Sequence, residues 1–485
     1  MKRPVLHAGM LVAAILAAAP ATTLAEDAEA LLKRVSAAMG TSDLKTLRYV
    51  TEGTGYSYGQ AYVPKSAWPK ITVHSQIRTI NYETGSMREE FTLSRAEPKG
   101  GGGYPLSGQQ RSEGFISGPY AWNVAGGNAV AGPRFIVDRT HQLWITPAGV
   151  VRAALKNKAQ AKFDDKGGGS TVTFTEPERF AATVHVNADY LIDRVETRVP
   201  DPVLGEVAFV TTYSDYRDFN GVKFPGRIRQ SQGGHPVLDV TVKELQRDAP
   251  AEIAVPDAVK TATERVTTEK VADGVWFVAG GSHNSVAIEM NDHLVLVEAP
   301  LNEGRTRPVI DQVKALAPGK PIRYVINSHN HFDHSGGLRT AAAEGATIVT
   351  QADNKAYFEK AFATHSKIAP DRLTNSGKKA QFVEVNDSMV MTDGARTLVI
   401  LRLRESVHND TFLMVYMPKE KLLIEADAYT PLAPNAPPPA TANANNVNLI
   451  ENIQRMKLRI DKILPLHGRV VPVGELYATA KMTPK

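Results

Sequence analysis

One stretch of ten residues, Ser328 to Gly337, constrains this chain more than any other. It reads Ser-His-Asn-His-Phe-Asp-His-Ser-Gly-Gly and places three histidines and one aspartate within six positions. A β-branched and aromatic run typical of a buried strand, Ile322 to Ile326, lies just before it. Side chains that follow such a strand lie on a loop anchored by a sheet, where irregular backbone turns several of them toward one point. The stretch therefore predicts a metal site rather than a set of surface histidines.

The spacing inside this stretch indicates two ions. In extended backbone, residues two apart point the same way, so His329 and His331 can face one ion. Asp333 and His334 then reach past it to a second ion. Imidazole nitrogens with a carboxylate suit zinc, and iron, manganese, cobalt and nickel accept the same ligands.

The pattern His-x-His-x-Asp-His followed by Gly-Gly resembles the signature of the metallo-β-lactamase-fold hydrolases. The resemblance extends from about Glu269 to the C-terminus. It implies three further ligands near strand ends, and the sequence supplies His408, Asp427 and His467 there. Glu298 stands where family members usually carry an aspartate, which is a conservative difference.

By this resemblance, seven side chains form a dinuclear centre with two divalent ions, for which zinc is the expected metal. Three histidines are expected to bind the first ion: His329, His331 and His408. The second ion is expected at Asp333, His334 and His467, with Asp427 bridging both. Taken singly, His408 and His467 could be hydrogen-bonded core residues, and Asp427 could be a cap. Because all seven occur in the expected order, the metal centre is the better interpretation.

The N-terminus predicts export. Residues 1–25 combine Lys2 and Arg3 with an apolar run and the small-residue ending Thr-Leu-Ala, the three parts of a cleavable secretory signal peptide. A periplasmic or secreted location is therefore expected, with an uncleaved anchor as the alternative. No other stretch approaches the roughly 20 apolar residues of a membrane span, so no transmembrane segment is expected after cleavage.

Three further segments are predicted behind the signal peptide, because 485 residues exceed one ordinary hydrophobic core. Residues 26–247 read as a mainly antiparallel β domain, a curved sheet or half-barrel with an N-terminal helix from Asp27 to Met39. Asn220-Gly221 is its strongest hairpin signal, and the domain is similar to lipoprotein-carrier-type folds of bacterial envelopes. Residues 248–264 read as a linker. Residues 265–485 read as an α/β domain, for which the resemblance implies an αββα sandwich.

Composition excludes several classes of protein. The chain has no cysteine, which rules out disulfides and thiolate ligands, and with them the β-lactamase subclasses that use a cysteine ligand. The formal charge of +5 falls to +3 without Lys2 and Arg3, and no run of basic residues occurs. No nucleic-acid partner is therefore expected.

The ligand set implies a chemistry. Two ions about 3.5 to 4 Å apart hold a hydroxide that attacks an electrophilic carbon or phosphorus. By the resemblance, Asp333 would also orient this nucleophile. Tyr429 would donate a hydrogen bond to the developing oxyanion, unless it is simply a packed tyrosine. His283 lies on a loop that resembles the family's mobile substrate flap and is expected to contact substrate.

The expected substrate is a small neutral or anionic molecule, because the ions, two carboxylates and one hydroxide sum to about +1. Asp427 resembles the bridging aspartate of the glyoxalase II, lactonase and arylesterase-like branches, which favours an ester or a lactone. A β-lactam is the second alternative, and phosphodiester or thioester hydrolysis is a third. A hypothesis of another class is that the N-terminal domain binds an envelope lipid or similar ligand and that the metal domain is secondary.

Overall fold

The structure is a computed structural model and describes residues 27–97, 99, 108–163 and 169–484. The predicted signal peptide, residues 1–25, lies outside the described residues. None of the described helices is long and apolar enough to cross a membrane. Below, the N-terminal half means residues 27–247 and the C-terminal half means residues 265–484.

A thirteen-stranded antiparallel sheet, the first sheet, forms most of the N-terminal half. The strands of this half are β1 (Thr46–Tyr56), β2 (Lys70–Asn81), β3 (Ser86–Arg95), β4 (Gln110–Ser117), β5 (Tyr120–Ala125), β6 (Asn128–Ala131), β7 (Gln160–Phe163), β8 (Gly169–Glu176), β9 (Phe180–Asn187), β10 (Ile192–Asp201), β11 (Gly205–Ser214), β12 (Arg217–Phe219), β13 (Val222–Phe224), β14 (Arg227–Gln232) and β15 (His235–Arg247). The sheet order is β6-β5-β4-β3-β2-β1-β15-β14-β11-β10-β9-β8-β7. Buried and partly exposed residues alternate along β9 and β11, so one face is packed.

The predicted hairpin at Asn220-Gly221 is confirmed. It joins β12 to β13, which form a separate two-stranded sheet, and Phe219 lies opposite Val222. Asn220 and Gly221 have φ angles of 54° and 87°. A two-residue hairpin turn of this type needs positive φ at both positions, which asparagine and glycine tolerate best.

Helices cover the packed face of the first sheet. They are α1 (Ala28–Met39), α2 (Ile136–Trp144), which follows a short 3₁₀ turn (Pro133–Phe135), and α3 (Pro147–Lys156). Leu31, Leu143 and Val150 lie in one core cluster with apolar residues of the sheet. The N-terminal helix and the antiparallel sheet were predicted, whereas α2 and α3 were not. Thr146 caps α3 by accepting a hydrogen bond from the Gly149 N–H, and this cap before a proline is a helix-start signal in the sequence.

The C-terminal half contains two more sheets. The second sheet has the order β16 (Thr267–Ala272), β17 (Val275–Ala279), β18 (Ser285–Glu289), β19 (Leu294–Val297), β20 (Ile322–Ile326), β21 (Thr347–Gln351) and β22 (Gln381–Val385). The third has the order β23 (Ser388–Thr392), β24 (Thr397–Arg402), β25 (Leu413–Met417), β26 (Leu422–Glu425), β27 (Lys462–Pro465) and β28 (Val471–Pro472). The remaining helices are α4 (Asp257–Lys260), α5 (Glu303–Leu316), α6 (Phe332–Ser335), α7 (Leu338–Glu344), α8 (Ala352–Phe362), α9 (Arg372–Ser376), α10 (Ala444–Arg455) and α11 (Val473–Ala480).

Apolar residues pack these sheets and helices in layers. Strand β19 shows the principle, because Val295 and Val297 join the core shared with the third sheet while Leu294 and Leu296 join the core under α5, α7 and α8. Both faces of this strand are therefore covered. Helices α10 and α11 bury apolar residues in the core of the third sheet. The predicted αββα arrangement of the C-terminal half is confirmed.

The two halves also share a core. Ala61, Trp68 and Val203 of the N-terminal half lie in the same apolar cluster as Phe332 and the residues of α5, α7 and α8. Apolar burial is the main stabilising contribution in a fold, so this shared cluster holds the two halves against each other.

His141 on α2 generates a prediction about acid stability. It is 2% exposed, its Nε2 lies 2.8 Å from the Thr197 Oγ1, and its ring packs edge-on against Phe180 and Phe209. Burial, with a contribution from the positive charge of Arg78, lowers the pKa of His141 to about 3. Because an unfolded histidine has a pKa of about 6.5, the unfolded state binds a proton below that pH that the folded state does not bind.

We therefore expect the free energy of unfolding to decrease as the pH is lowered below about 6. His141 alone should contribute up to about 1.4 kcal/mol per pH unit to this decrease. His141→Gln keeps a polar partner for Thr197 and should remove the contribution of His141 to the pH dependence. Urea unfolding of metal-free protein at several pH values between about 4 and 7 measures it. His74→Gln, at an exposed position, is the matched control. Equal slopes in the wild type and His141→Gln would contradict the assignment.

Candidate metal centre

Strand ends in the second and third sheets bring the predicted ligands to one place. Strand β20 ends just before the segment from 327 to 331, and α6 begins directly after it. Strand β26 ends two residues before Asp427, and β27 ends two residues before His467. The His408 loop connects β24 to β25. Loops at strand ends combine a rigid base with free backbone geometry, which is why ligand sites in α/β folds form there.

One set of ligand atoms comprises His329, His331, His408 and Asp427. One atom from each residue lies within 4.8 Å of the others. All four side chains are buried, and the most exposed of them, the imidazole of His408, is 7% exposed. The Nε2 atoms of His329 and His408 are each 3.2 Å from the Asp427 Oδ2.

A second set comprises Asp333, His334 and His467 together with His283, again with one atom each within 4.8 Å. The Nε2 of His334 is 2.9 Å from the Asp427 Oδ2, and the Nε2 of His467 is 3.0 Å from its Oδ1. Asp427 thus contacts histidines of both sets, where a bridging carboxylate would lie. The structure brings all seven predicted ligands together.

Residues behind the ligands orient the imidazole rings through hydrogen bonds. The Nδ1 of His334 lies 3.0 Å from Glu298, which is fully buried and also accepts a hydrogen bond from the Ser328 hydroxyl. The Nδ1–H of His467 donates to the Ser282 carbonyl oxygen at 2.7 Å. Because Nδ1 is engaged in each ring, Nε2 is the nitrogen that faces the centre, and such outer partners fix the tautomer of metal-ligating histidines. Glu298 therefore performs an orienting role at the position that the resemblance marked as different.

The residues fit divalent ions. Neither ring nitrogen of His331 has a hydrogen-bond partner among the residues that the structure describes, although the side chain is fully buried. An unsatisfied buried polar atom costs about 1–3 kcal/mol, so a partner for this ring is needed. Ligands bound about 2.1 Å from one ion lie roughly 3.0–3.4 Å apart. The separations of 2.9–3.2 Å around Asp427 agree with that spacing.

Charges at the centre depend on each other. Burial opposes a positive charge on His334, but the carboxylates of Asp427 and Asp333 raise its pKa well above the usual value. Burial likewise opposes ionisation of Asp427, yet His334 and His467 hold its pKa well below the usual range. Burial and the charge of His334 lower the pKa of His329 to about 3. The pocket therefore favours ionised carboxylates with positive charge between them, which suits cations.

His283, predicted to contact substrate, lies in the second set of ligand atoms. Its Nε2 is 3.1 Å from the Asp333 Oδ2, its Nδ1 is 2.8 Å from the Ser282 hydroxyl, and its ring centre is 4.3 Å from that of His467. The side chain is 5% exposed, and burial lowers its pKa to about 4. The position gives His283 access both to an ion and to the adjoining cavity; its contact with substrate stays a prediction.

Tyr429, predicted as an oxyanion donor, is fully buried. Its backbone N–H donates to Glu425, and its hydroxyl is 3.5 Å from the Thr479 Oγ1 on α11. Thr430 is among the described residues that line the cavity, whereas Tyr429 is not. The structure does not bring this hydroxyl to the other site residues, and its catalytic role stays a prediction.

A cavity of about 750 Å³ opens over the centre and lies between the two halves of the chain. Asp333, Asp427 and His467 line it from one side, and residues of the first sheet, the 3₁₀ turn and α2, including Arg134 and Phe209, line it from the other. From the N-terminal half, Gln60 donates a hydrogen bond from Nε2 to the Asp333 Oδ1 at 2.8 Å. Sequence reasoning missed Gln60, because no local pattern marks a contact between residues so far apart in the chain.

Comparison with known proteins gives the following similarities. Residues 278–442 match a family model described as the metallo-β-lactamase superfamily. A curated relative, the α subunit of a 2,4-dinitroanisole O-demethylase from a Nocardioides strain, is 27% identical over 167 residues, which are 33% of this chain and 46% of that protein. The chain thus spans less than half the length of that relative.

Solved structures with a similar fold include a metallo-β-lactamase from Pontibacter korlensis, with 16% identity, a TM-score of 0.35, and coverage of 45% of this chain and 98% of that one. A variant of a flavo di-iron protein from Thermotoga maritima has 14% identity and a TM-score of 0.36, and the match covers 45% of this chain and 61% of that one.

Removing central ligands should remove metal without unfolding the protein. We expect His331→Ala and Asp427→Ala each to reduce the bound metal from about two ions per chain to one or none, because one variant lacks a buried imidazole and the other lacks the shared carboxylate. Elemental analysis after gel filtration, with circular dichroism as the check on folding, measures this. His365→Ala, at an exposed histidine outside both sets, should keep the wild-type content. Full metal content in Asp427→Ala would refute the bridging assignment.

Proposed function

We propose that this protein, whose residues 278–442 match the metallo-β-lactamase superfamily, is a dinuclear metal-dependent hydrolase that cleaves an ester or a lactone. The observation that carries the proposal is the position of Asp427. Its two carboxylate oxygens lie 2.9–3.2 Å from histidines of both ligand sets. A closed structural zinc site uses four protein ligands around one ion, whereas seven ligands around two ions leave positions for water.

The side chains of the centre have different roles in the proposed reaction. Two bound ions would supply an activated water and a Lewis acid for the substrate oxygen. Asp333 is the ligand most open to the cavity, with a side chain 31% exposed, so its carboxylate is placed to orient the attacking water by accepting a hydrogen bond from it. His283, 3.1 Å away, donates to that carboxylate and limits its rotation. The buried histidines hold the geometry.

The cavity supports a small substrate with an apolar part. Its volume of about 750 Å³ lies within the range of small-molecule sites. Phe135, Val137, Phe209 and Phe332 contribute apolar side chains to its wall. The positive charge of a dinuclear centre favours a neutral or anionic substrate. An aspartate in contact with both ligand sets resembles the lactonase and glyoxalase II-like branches, which is why we place an ester or lactone before a β-lactam.

We further propose that the protein acts in the periplasm or outside the cell. The support is the composition of residues 1–25, with two basic residues, an apolar run and small residues before the acidic pair Glu26-Asp27. Fractionation of cells that produce the full chain, with sequencing of the mature N-terminus, tests this. A chain retained in the cytoplasm with residue 1 intact would contradict it.

The test of the activity combines metal analysis with initial rates. Protein reconstituted with zinc, manganese or iron is assayed on a lactone, an aryl ester, a β-lactam, a phosphodiester and an aryl methyl ether. The ether is included because the Nocardioides relative is named an O-demethylase. We expect about two ions per chain and the highest kcat/KM on the lactone or the aryl ester. Asp333→Asn should lower kcat by about 10²-fold, because the attacking water is no longer oriented, and His365→Ala should not.

Two results would count against the proposal. Preference for the β-lactam would move the protein to the second alternative while keeping the metal centre. No turnover on any substrate, with one ion or none per chain, would favour the hypothesis that the N-terminal half binds an envelope ligand. Lipid extraction of the purified protein followed by mass spectrometry would then identify that ligand.

A further inference from the structure

One short segment of the N-terminal half lies against the metal centre. It comprises residues 59–62, here called the clasp, and belongs to the connection between β1 and β2. The clasp carries Gly-Gln-Ala-Tyr. It runs beside both loops that present histidines of the first ligand set, the loop after β20 and the loop before β25.

The clasp is hydrogen-bonded to both loops through its backbone. The Gly59 carbonyl accepts from the Phe332 N–H at 3.1 Å, and the Tyr62 carbonyl accepts from the Asp410 N–H at 3.0 Å. Between them, the Ala61 carbonyl accepts from the side-chain amides of Asn330 at 3.3 Å and Asn409 at 3.1 Å.

Those two asparagines are direct neighbours of ligands in the chain. Asn330 stands between His329 and His331, and Asn409 follows His408. They also bond to each other, with the Asn409 Nδ2 at 2.7 Å from the Asn330 Oδ1. The clasp therefore ties together the two loops that hold the first ion's histidines.

Gln60 reaches the second ligand set. Its Nε2 donates to the Asp333 Oδ1 at 2.8 Å. The other oxygen, Oδ2, faces the remaining members of that set, at 3.1 Å from the His283 Nε2 and 3.7 Å from the His334 Nε2. Gln60 and His283 thus hold one carboxylate oxygen each, and Oδ2 is the oxygen on the side of His334. The amide of Gln60 therefore fixes the carboxylate plane that presents Oδ2 to the second ion.

The clasp keeps its place without Gln60. Tyr58 and Trp68 pack against Phe332 with ring centres 5.3 and 5.6 Å away, and the Tyr58 hydroxyl donates to Asp201 at 2.7 Å. Gly59 has a φ of +77°, and a Cβ there would lie 2.6 Å from the Phe332 ring, so only glycine allows this approach. Because these contacts do not involve Gln60, replacing that side chain should leave the fold intact.

We infer that the N-terminal half is a structural part of the metal centre, and that Gln60 is a positioning residue that holds Asp333 for the second ion. The inference rests on the proposed dinuclear centre and goes beyond it. The two halves then have different roles, because residues 265–485 supply the ligands and the clasp orders the loops that carry them. Partners that orient a ligand typically contribute 10–100-fold to metal affinity.

The experiment measures metal affinity in the full chain. Gln60→Leu keeps the volume and removes the amide, and Gln60→Asn shortens it so that it no longer reaches Asp333. Both variants and the wild type are titrated with zinc against a chromogenic chelator, and the cobalt(II) forms are compared by visible absorption. Gln160→Ala, at an exposed glutamine of the edge strand β7, is the control for glutamine loss. Urea unfolding of each metal-free protein checks the fold.

We expect both Gln60 variants to bind the second ion about 10–100-fold more weakly, with the first ion unaffected. The cobalt spectrum should change at the second equivalent only, and each metal-free variant should still unfold in a single cooperative transition. Wild-type affinity for both ions in both variants, with an unchanged cobalt spectrum, would overturn the role of Gln60 while leaving the dinuclear hydrolase standing. A wild type that binds fewer than two ions would overturn the proposed function and this inference together.

Discussion

The contact of Asp427 with two sets of buried histidines holds the metal centre together. One carboxylate lies within 3.2 Å of four imidazole nitrogens, and most of these side chains have little access to water. Burying so many titratable groups without a cation would leave charges and lone pairs unsatisfied. The strand ends, the orienting partners such as Glu298, and the packed layers beneath them hold these groups at ligand distance.

The N-terminal half gives this centre its surroundings. A catalytic site needs a wall opposite the ions to exclude water and to contact the substrate, and here that wall comes from the first sheet, α2 and the clasp. The shared apolar cluster connects the two halves, because Phe332, inside the ligand motif, also packs against Tyr58 and Trp68 of the N-terminal half. The polar side of the same motif, through Asn330 and Asp333, bonds to the clasp.

Local patterns predicted those features whose causes are local. The ligand motif could be recognised because its histidines and aspartate occur at spacings at which extended backbone points side chains the same way. The hairpin at Asn220-Gly221 followed from the positive φ that such turns require. Helix α1 followed from apolar residues on one face, such as Leu31 and Val35, and from Gly40, which ends the helix in the left-handed conformation. Helix α3 had a start signal at Thr146, but the sequence interpretation did not use it. Local patterns did not place the hydroxyl of Tyr429 either, since its depth depends on packing against α11.

The ligand types, their order and the layered fold that presents them could be predicted from the amino-acid sequence, because these depend on residue chemistry and on short-range periodicity. Three features became visible only in the folded chain: Gln60 binds Asp333, His283 joins the second ligand set, and the cavity lies between the two halves. Each of these depends on contacts between segments that are distant in the chain, and such contacts form where apolar faces bury one another. Their positions follow from the packing of the whole molecule and leave no signature in any single segment.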